Sequence, residues 1–354
     1  MKRILPALAL CCALLLSGCT SLLERTYTSV EPHTEHTVSG SDTSTIKADT
    51  YSELVNAILF FVSQGMEEGV VQLTGYEGDV EADLNQACLE VAKDDPLGAY
   101  AVDFIKNDYT RVLTTYEATI TISYRRTQEQ INSLVNVTGS SAIREEVGQA
   151  LAAFQPELAL RVGYFTEEMA DLDSLIRQAY YDDPASALGM PLWEINLYPD
   201  TGNQRIVEIL LIYPESAELL AHKKEDLLST VEQMVLPLHP SQHTSAERLS
   251  LLFQLLPDAV HTSGTGSTAW DAILGDGADS EGLALAFQLL CDEMDIGSTL
   301  IEGTLNGQPH FWNQLTDNGG THYVDLTRST DGTTWSAEDL IALGYVWAGS
   351  EEIE

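Results

Sequence analysis

Apolar and polar positions alternate along most of the chain with the periods of short amphipathic helices and half-buried strands. An apolar face repeats every three or four residues from residue 51, which predicts a helix, and residues 70–76 predict the strand after it. A second helix is predicted over residues 80–93, and the Asp-Asp-Pro sequence after it ends that helix because the residue before proline avoids the helical region. Residues 117–124 alternate strictly, which is typical of a strand with one solvated face.

The order of helix, strand, helix and two strands recurs 88 residues later (163 − 75). Three groups of residues match at this offset, which predicts a duplicated α/β module. The second copy ends in two predicted strands, residues 192–198 and 205–213, joined by a turn. Neither copy carries a clustered ionisable or glycine-rich motif, so we interpret both as a structural or protein-contacting scaffold. The matched groups are Gly75-Tyr76 with Gly163-Tyr164, Leu84 with Leu172, and Asp94-Asp95-Pro96 with Asp182-Asp183-Pro184.

A third region follows the copies. Helices are predicted over residues 215–235 and 246–256, and the prolines between them mark a boundary near residue 237. The fold class predicted from these patterns is α+β. The predicted divisions are a signal peptide over 1–18, an anchor and polar tether over 19–49, module copies over 50–137 and 138–236, and a C-terminal domain over 237–354.

The first residues predict export and a lipid anchor. Lys2 and Arg3 precede an apolar run over residues 4–16, which is too short to span a bilayer comfortably and ends in Leu-Ser-Gly directly before Cys19. This resembles a bacterial lipoprotein signal, in which cleavage before Cys19 leaves that cysteine modified by lipid such as palmitate. A plain secretory signal with an incidental cysteine is the alternative. The resemblance implies a protein held on the extracytoplasmic face of the membrane through this anchor.

Composition narrows the classes of partner and cofactor. The 354 residues carry a formal net charge of −37 at pH 7, which repels nucleic acid and anionic lipid head groups, so we expect no nucleic-acid partner. Beyond the signal and anchor only Cys88 and Cys291 remain, both inside helical patterns, and we predict buried thiols without a disulfide. His239 and His243 flank Pro240, so a metal site there is not expected. No metal or organic cofactor is predicted.

Candidate chemistry is concentrated near the C-terminus. Four groups of residues stand out there: Thr268 to Leu274, Gly277 to Ala284, His310-Phe311-Trp312-Asn313 and Tyr323-Val324-Asp325-Leu326-Thr327. In order and spacing they resemble the transglutaminase-like family (the transglutaminase and protease core), over about a third of the chain from residue 237. The resemblance implies a papain-like cysteine protease fold for this domain. In that family a cysteine at the start of a long helix attacks an amide carbonyl, a strand histidine is its base, and an aspartate on the next strand orients the histidine.

The resemblance assigns the base to His310 and the orienting acid to Asp325, but Ser280 stands at the position of the nucleophilic cysteine. A serine hydroxyl is much less acidic than a thiol and depends on the base removing its proton during attack. Serine and aspartate are also ordinary helix-capping residues, so Ser280 has a second interpretation as a cap at a lost catalytic position. Cys291 lies 11 residues along the same helix, about 16 Å away at 1.5 Å per residue, which is too far to replace it.

Turn geometry supports the pairing of the other two residues. Asn318-Gly319 is a strong signal for a two-residue hairpin turn, and a turn centred there places Asp325 opposite Trp312. His310 and Trp312 point to the same face, so His310 and Asp325 become diagonal neighbours within side-chain reach. His322 falls on the other face and is a poor candidate for the base. Trp312 and Trp270 are predicted to be core residues near the site.

We therefore predict a lipid-anchored surface protein with an inactive transglutaminase-like site that binds a peptide, a protein or a cell-wall component. The alternative is an active hydrolase or acyltransferase that uses Ser280, His310 and Asp325 on amides or esters. That alternative requires the Ser280 hydroxyl to reach the His310 ring at about 2.6–3.2 Å. A third possibility is that the duplicated modules carry the function. The sequence leaves the ligand, the oligomeric state and the oxyanion donor open.

Overall fold

A computed structural model describes residues 45–166, 168–317 and 320–350. From Lys47 onward these residues form one compact unit. The fold is of the α+β class, and the described residues form three four-stranded sheets with helices packed against them. The predicted signal peptide, Cys19 and most of the tether lie outside the described residues. No helix within the described ranges is both long and apolar enough to cross a membrane.

The first sheet contains four strands in the order β1-β2-β4-β3. Its first helix begins after Thr50, whose side chain accepts from the amide of Glu53 while the Glu53 carboxylate accepts from the amide of Thr50. The tether was predicted to run to residue 49, but a strand with buried Ala48 occupies its end, which is a correction. The elements are β1 (Thr45–Ala48), α1 (Tyr51–Ser63), β2 (Glu68–Thr74), α2 (Val80–Lys93), α3 (Pro96–Ala101), β3 (Val102–Val112) and β4 (Thr115–Tyr124).

The second sheet has its strands in the order β5-β6-β8-β7, the same arrangement as in the first sheet. Strand β8 is buried on both faces, from Ile206 to Ile209, which agrees with its nearly continuous apolar sequence. The strand pair at the end of the second copy lies where the sequence predicted it. The elements are α4 (Gln128–Asn132), β5 (Val135–Val137), α5 (Ser140–Ala152), β6 (Glu157–Val162), α6 (Met169–Asp182), β7 (Leu192–Tyr198) and β8 (Arg205–Ile212).

The third sheet has the order β11-β10-β9-β12 and packs against α10, whose residues from Gly282 to Cys291 are all buried. Helix α8 was predicted to end at Leu256 but continues past Pro257, because a proline in the last turn removes only one hydrogen bond of the helix. The elements are α7 (Ala217–Val235), α8 (Ser245–Ala259), α9 (Ala269–Ile273), α10 (Ser280–Glu293), β9 (Ser298–Leu305), β10 (Gln308–Asp317), β11 (Gly320–Val324), α11 (Ala337–Ala342) and β12 (Tyr345–Trp347), with 3-10 turns at Leu236–Leu238 and Pro240–Gln242.

One hydrophobic core extends from the second sheet into the third. It includes Val137 and Leu160 beside the second sheet, Leu227 of α7, and Phe287 of α10. The boundary predicted near residue 237 therefore crosses a continuous apolar core and is not a gap between two cores. Cys291 belongs to this core, and both Cys88 and Cys291 are free and buried, as predicted.

A buried ion pair joins the end of the first sheet to the second. Arg126, just after β4, lies 2.5 Å from the Glu208 carboxylate, which is 1% exposed. The other oxygen of Glu208 accepts from Tyr198 Oη at 3.1 Å and from Asn196 Nδ2 at 3.3 Å. The guanidinium group also lies over the ring of Tyr100, 5.0 Å from its centroid. Among the described residues the carboxylate is therefore held by three polar partners, of which only Arg126 supplies an opposite charge.

Replacing Arg126 with alanine should strongly destabilise the protein. The change leaves the Glu208 carboxylate buried without a counter-ion, which costs about 3–5 kcal/mol in comparable buried pairs. We expect the free energy of unfolding, measured by urea denaturation, to fall by that amount.

The matched control is Arg144→Ala, because Arg144 pairs with Asp182 on the surface with both side chains about half exposed. Loss of an exposed pair costs about 0–1 kcal/mol. Equal losses in the two variants would contradict a special role for the buried pair.

Candidate functional site

The loop before α10 fixes the position of Ser280. Its backbone is tied by hydrogen bonds from Ala278 N to the His261 carbonyl and from Asp279 N to the Gly266 carbonyl. Gly277 adopts a φ of +115°, and a Cβ atom there would lie 2.5 Å from the Ser263 carbonyl oxygen. This tight turn requires glycine, both for the left-handed backbone and for the close approach of the second chain segment.

Helix α10 begins at Ser280, as predicted, but Ser280 is not its cap. Asp279 Oδ1 accepts from the amides of Glu281 and Gly282 at 2.9 and 3.2 Å, so Asp279 occupies the N-cap position. The interpretation of Ser280 as the helix cap is therefore wrong. Its hydroxyl oxygen instead accepts a hydrogen bond from the backbone N–H of Phe311 at 3.3 Å. This contact brings the start of α10 directly against β10.

Strand β10 separates its side chains between two faces. Asn313 points towards α10 and donates from Nδ2 to the Ala284 carbonyl at 3.0 Å. Successive side chains of a strand alternate between its two faces. His310 and Trp312 are an odd number of positions from Asn313, so both lie on the opposite face. Their rings pack at 6.2 Å between centroids, and the His310 ring also meets Tyr345 of β12 at 5.7 Å. The histidine is thus fixed by aromatic packing.

The hairpin register brings Asp325 to His310. Asn313 pairs with Val324, so continuing the register by one residue sets Asp325 opposite Trp312, as the sequence predicted. The turn residues Asn318 and Gly319 lie outside the described residues. His310 Nε2 is 2.7 Å from Asp325 Oδ2, and the predicted hydrogen-bonded pair is therefore present.

Asp325 is 1% exposed, and both of its carboxylate oxygens accept hydrogen bonds. Oδ2 accepts from His310 and from the Tyr345 hydroxyl, while Oδ1 accepts from the amide and hydroxyl of Thr327 at 2.9 and 2.6 Å. Burial alone would raise the pKa of Asp325, but the hydrogen bonds from His310, Thr327 and Tyr345 outweigh it and lower the pKa below its ordinary value. Arg328 Nε donates in turn to the Tyr345 hydroxyl at 2.7 Å.

The sequence did not reveal all of these partners. Thr327 carried a local signal, since an aspartate two residues before a threonine often accepts from its amide and hydroxyl. Tyr345 lies 20 residues beyond Asp325 and had no such signal. Its contribution follows from the pairing of β12 with β9, which places it beside the His310 ring.

Ser280 and His310 do not form a hydrogen bond in the described part of the chain. The serine hydroxyl accepts from the Phe311 amide, and His310 directs Nε2 to Asp325. The arrangement orients an imidazole and leaves its Nδ1 atom for another group. It lacks the direct contact through which a base would take the proton of the serine hydroxyl.

The remaining predicted residues occupy structural positions. Trp312 is buried beside the His310 ring, as predicted, whereas Trp270 is only half-buried and lies under the ammonium group of Lys223. Cys291 is fully buried inside α10, and burial raises the pKa of its thiol. Within the described ranges, no group of three or more His, Cys, Asp or Glu side chains is arranged to hold a metal ion.

Comparison with known proteins does not assign the chain to a family. No protein-family model matches the chain, and no curated protein matches it.

Changing Asp325 to asparagine should destabilise the protein in a pH-dependent way. An amide nitrogen would face donors that now point at a carboxylate oxygen, at a cost of about 2 kcal/mol or more near neutral pH. Because folding lowers the pKa of Asp325, its ionised form stabilises the fold above the ordinary carboxyl value of about 3.9. That contribution is lost as the pH falls through the lowered folded-state pKa.

The measurement is urea denaturation of wild type and Asp325→Asn between pH 3 and pH 7, where the difference should shrink in acid below about pH 4. Asp331→Asn is the comparison, because hydrogen bonds from Ser329 and Thr333 also lower the pKa of Asp331 but this carboxylate lies in an exposed loop, where water can replace those bonds. A difference that stays constant across this range would show that the carboxylate charge is not what stabilises the hairpin.

Proposed function

We propose that this chain is a lipid-anchored surface protein whose transglutaminase-like site binds a ligand without turning it over. The observation that carries the proposal is the position of the Ser280 hydroxyl, which accepts from the Phe311 amide and makes no hydrogen bond with His310 among the described residues. The proposal keeps His310 and Asp325 as an oriented pair. It assigns no chemistry to Ser280.

The fold supports the transglutaminase-like assignment. A buried helix that starts at the nucleophile position is followed by strands β9, β10 and β11 with antiparallel pairing, and these carry the histidine and lead to the aspartate. This is the order that the family resemblance implies. The resemblance of the four residue groups implies a contact between His310 and Asp325, and the hydrogen bond between them supports the same assignment.

Two features support duplication of the α/β module. Both sheets have the same strand order, and in both the elements run strand, helix, strand, helix and two strands, with the short helix α3 as an extra element in the first. Positions 88 residues apart are also buried alike, with Leu84 matching Leu172 and Cys88 matching Ile176. We propose that the modules are two copies of one unit that act as a scaffold for the C-terminal site.

The chemistry of serine supports binding over catalysis. A thiol at the start of a helix beside an imidazole can be held as a thiolate before a substrate arrives. A hydroxyl needs a base in contact with it at the moment of attack. The amide of Phe311 uses one lone pair of the Ser280 oxygen and draws the side chain towards the strand backbone.

The oriented imidazole points to a peptide-like ligand. If His310 is neutral and donates from Nε2 to Asp325, its Nδ1 atom is an acceptor that suits the N–H of an amide. Peptides, exposed protein segments and the peptide part of a cell wall share this group. We therefore propose a ligand of this class, bound at the start of α10.

The wild-type protein should not turn over amide substrates, whereas Ser280→Cys should. The substitution restores a nucleophile that the helix start and imidazole can ionise. The measurement is amine incorporation and hydrolysis with glutaminyl and peptide substrates, using the chain from Thr20 onward.

Ser280→Ala is the matched control, since it removes the hydroxyl with little change in volume. Wild-type turnover that disappears in this control would make Ser280 a true nucleophile and favour the hydrolase alternative. Absence of turnover in both wild type and Ser280→Cys would favour a function carried by the duplicated modules.

Membrane attachment should depend on Cys19. The proposed lipid is attached to this thiol, so Cys19→Ser should move the protein from the membrane fraction into the soluble fraction. The measurement is fractionation of expressing bacterial cells followed by immunoblotting, with Cys88→Ser as the control because Cys88 is buried within the fold. Retention of Cys19→Ser in the membrane fraction would contradict the anchor.

A further inference from the structure

One residue of the second module lies against both sides of the candidate site. Tyr181, near the end of α6, donates from its hydroxyl to Glu281 Oε1 at 3.0 Å. Its ring packs against Phe311 at 5.8 Å between centroids. Glu281 directly follows Ser280, and Phe311 directly follows His310. A residue more than 90 positions upstream of α10 therefore contacts the immediate neighbours of both site residues.

Tyr181 is held in place through its backbone. Its carbonyl accepts from Gln288 Nε2 at 2.9 Å, and Gln288 Oε1 accepts from the amide of Leu300 at 2.9 Å. Gln288 is buried within α10, so this bridge ties the end of α6 to both α10 and β9. Next to Tyr181, Asp182 forms two hydrogen bonds with Arg144 of α5.

A second side chain of α6 also reaches the third sheet. Arg177 lies one turn before Tyr181, on the same face of the helix, and its guanidinium is 3.8 Å from the Glu302 carboxylate. Glu302 is the cross-strand partner of Phe311. Helix α6 therefore meets a pair of neighbouring residues on β9 and β10 with two of its own side chains. Both members of the Arg177–Glu302 pair are about half exposed, so the position of α6 depends mainly on the contacts of Tyr181.

The burial of Tyr181 and its two contact residues agrees with a position of Tyr181 beside the start of α10. Burial raises the pKa of the Glu281 carboxyl, while the Tyr181 hydroxyl partly offsets that effect by donating to it. The Tyr181 ring, the Phe311 ring and the Glu281 side chain are all partly buried. Together they fill the space beside the start of α10 on the Phe311 side.

We propose that Tyr181 is a selectivity residue that closes the Phe311 side of the cleft and limits the width of ligands that reach residue 280. The site is then built from two parts of the chain, with α10 and β10 on one side and α6 of the second module on the other. The inference rests on the proposed function only in taking residue 280 to lie in the ligand cleft. It does not require the site to be inactive.

The test measures access to residue 280 with an engineered thiol. Residues from Lys47 onward form one compact unit, so Ser280→Cys is prepared in the chain from Thr20 onward, where the native thiols Cys88 and Cys291 are buried. Labelling rates are measured with N-ethylmaleimide and with a bulky fluorescein maleimide, which share the same reactive group. The rate with unchanged Ser280 is subtracted to remove any labelling of the native thiols.

Adding Tyr181→Ala should raise the ratio of bulky to small labelling rates by about tenfold or more, the scale on which pocket walls discriminate by size. Adding Tyr181→Phe should leave the ratio unchanged within about twofold, because the ring remains and only the bond to Glu281 is lost. Tyr164→Ala is the matched control, since Tyr164 is 66% exposed elsewhere in the second module.

Circular dichroism establishes that each variant is folded, and Tyr181→Leu replaces Tyr181→Ala where the alanine variant unfolds. An unchanged ratio in the folded small-residue variant would overturn the inference. An equal rise in Tyr181→Phe would also overturn it, because the hydroxyl bond and not the ring would then control access. Turnover by wild-type Ser280 would defeat the proposed function but would leave these labelling ratios unaffected, so the two failures are distinguishable.

Discussion

The candidate site depends on the buried carboxylate of Asp325. A carboxylate removed from water is costly unless hydrogen bonds replace its hydration, and here donors arrive from three segments of the chain. His310 comes from β10, Thr327 from the loop after β11, and Tyr345 from β12. Satisfying one acid therefore aligns the hairpin with the last strand of the sheet. The orientation of the imidazole is a consequence of this requirement.

Local patterns predicted the parts of the fold that local forces determine. The bounds of α2 and β7 followed from periodicity, and the His310–Asp325 pairing followed from the turn between them. Contacts over longer separations had no comparable signal. The Phe311 amide reaches Ser280 across 31 positions, and Tyr181 reaches Glu281 across 100, and both contacts depend on how α6, α10 and β10 pack.

The second sheet also contains a long-range contact that local sequence patterns do not predict. The sequence of β8 is almost continuously apolar, which is typical of a strand buried on both faces, and Glu208 interrupts it. A charge in such a strand implies a buried partner, but nothing in the pattern identifies Arg126 as that partner. The ion pair forms because the end of the first sheet packs on the second sheet, where the ring of Tyr100 also meets Tyr198. Burial of Glu208 therefore depends on packing between distant parts of the chain, which the local sequence pattern does not encode.

The two halves of the site therefore differ in what the fold requires of them. Asp325 and His310 belong to a hydrogen-bond network that links three strands, so their presence contributes to stability whether or not a reaction occurs. Residue 280 contributes one hydrogen bond from a backbone amide, and its side chain is only partly buried. A sulfur and an oxygen at this position differ greatly in acidity but little in their effect on packing. Folding thus constrains His310 and Asp325 while placing little constraint on residue 280, and an oriented histidine–aspartate pair beside a serine is a physically stable arrangement.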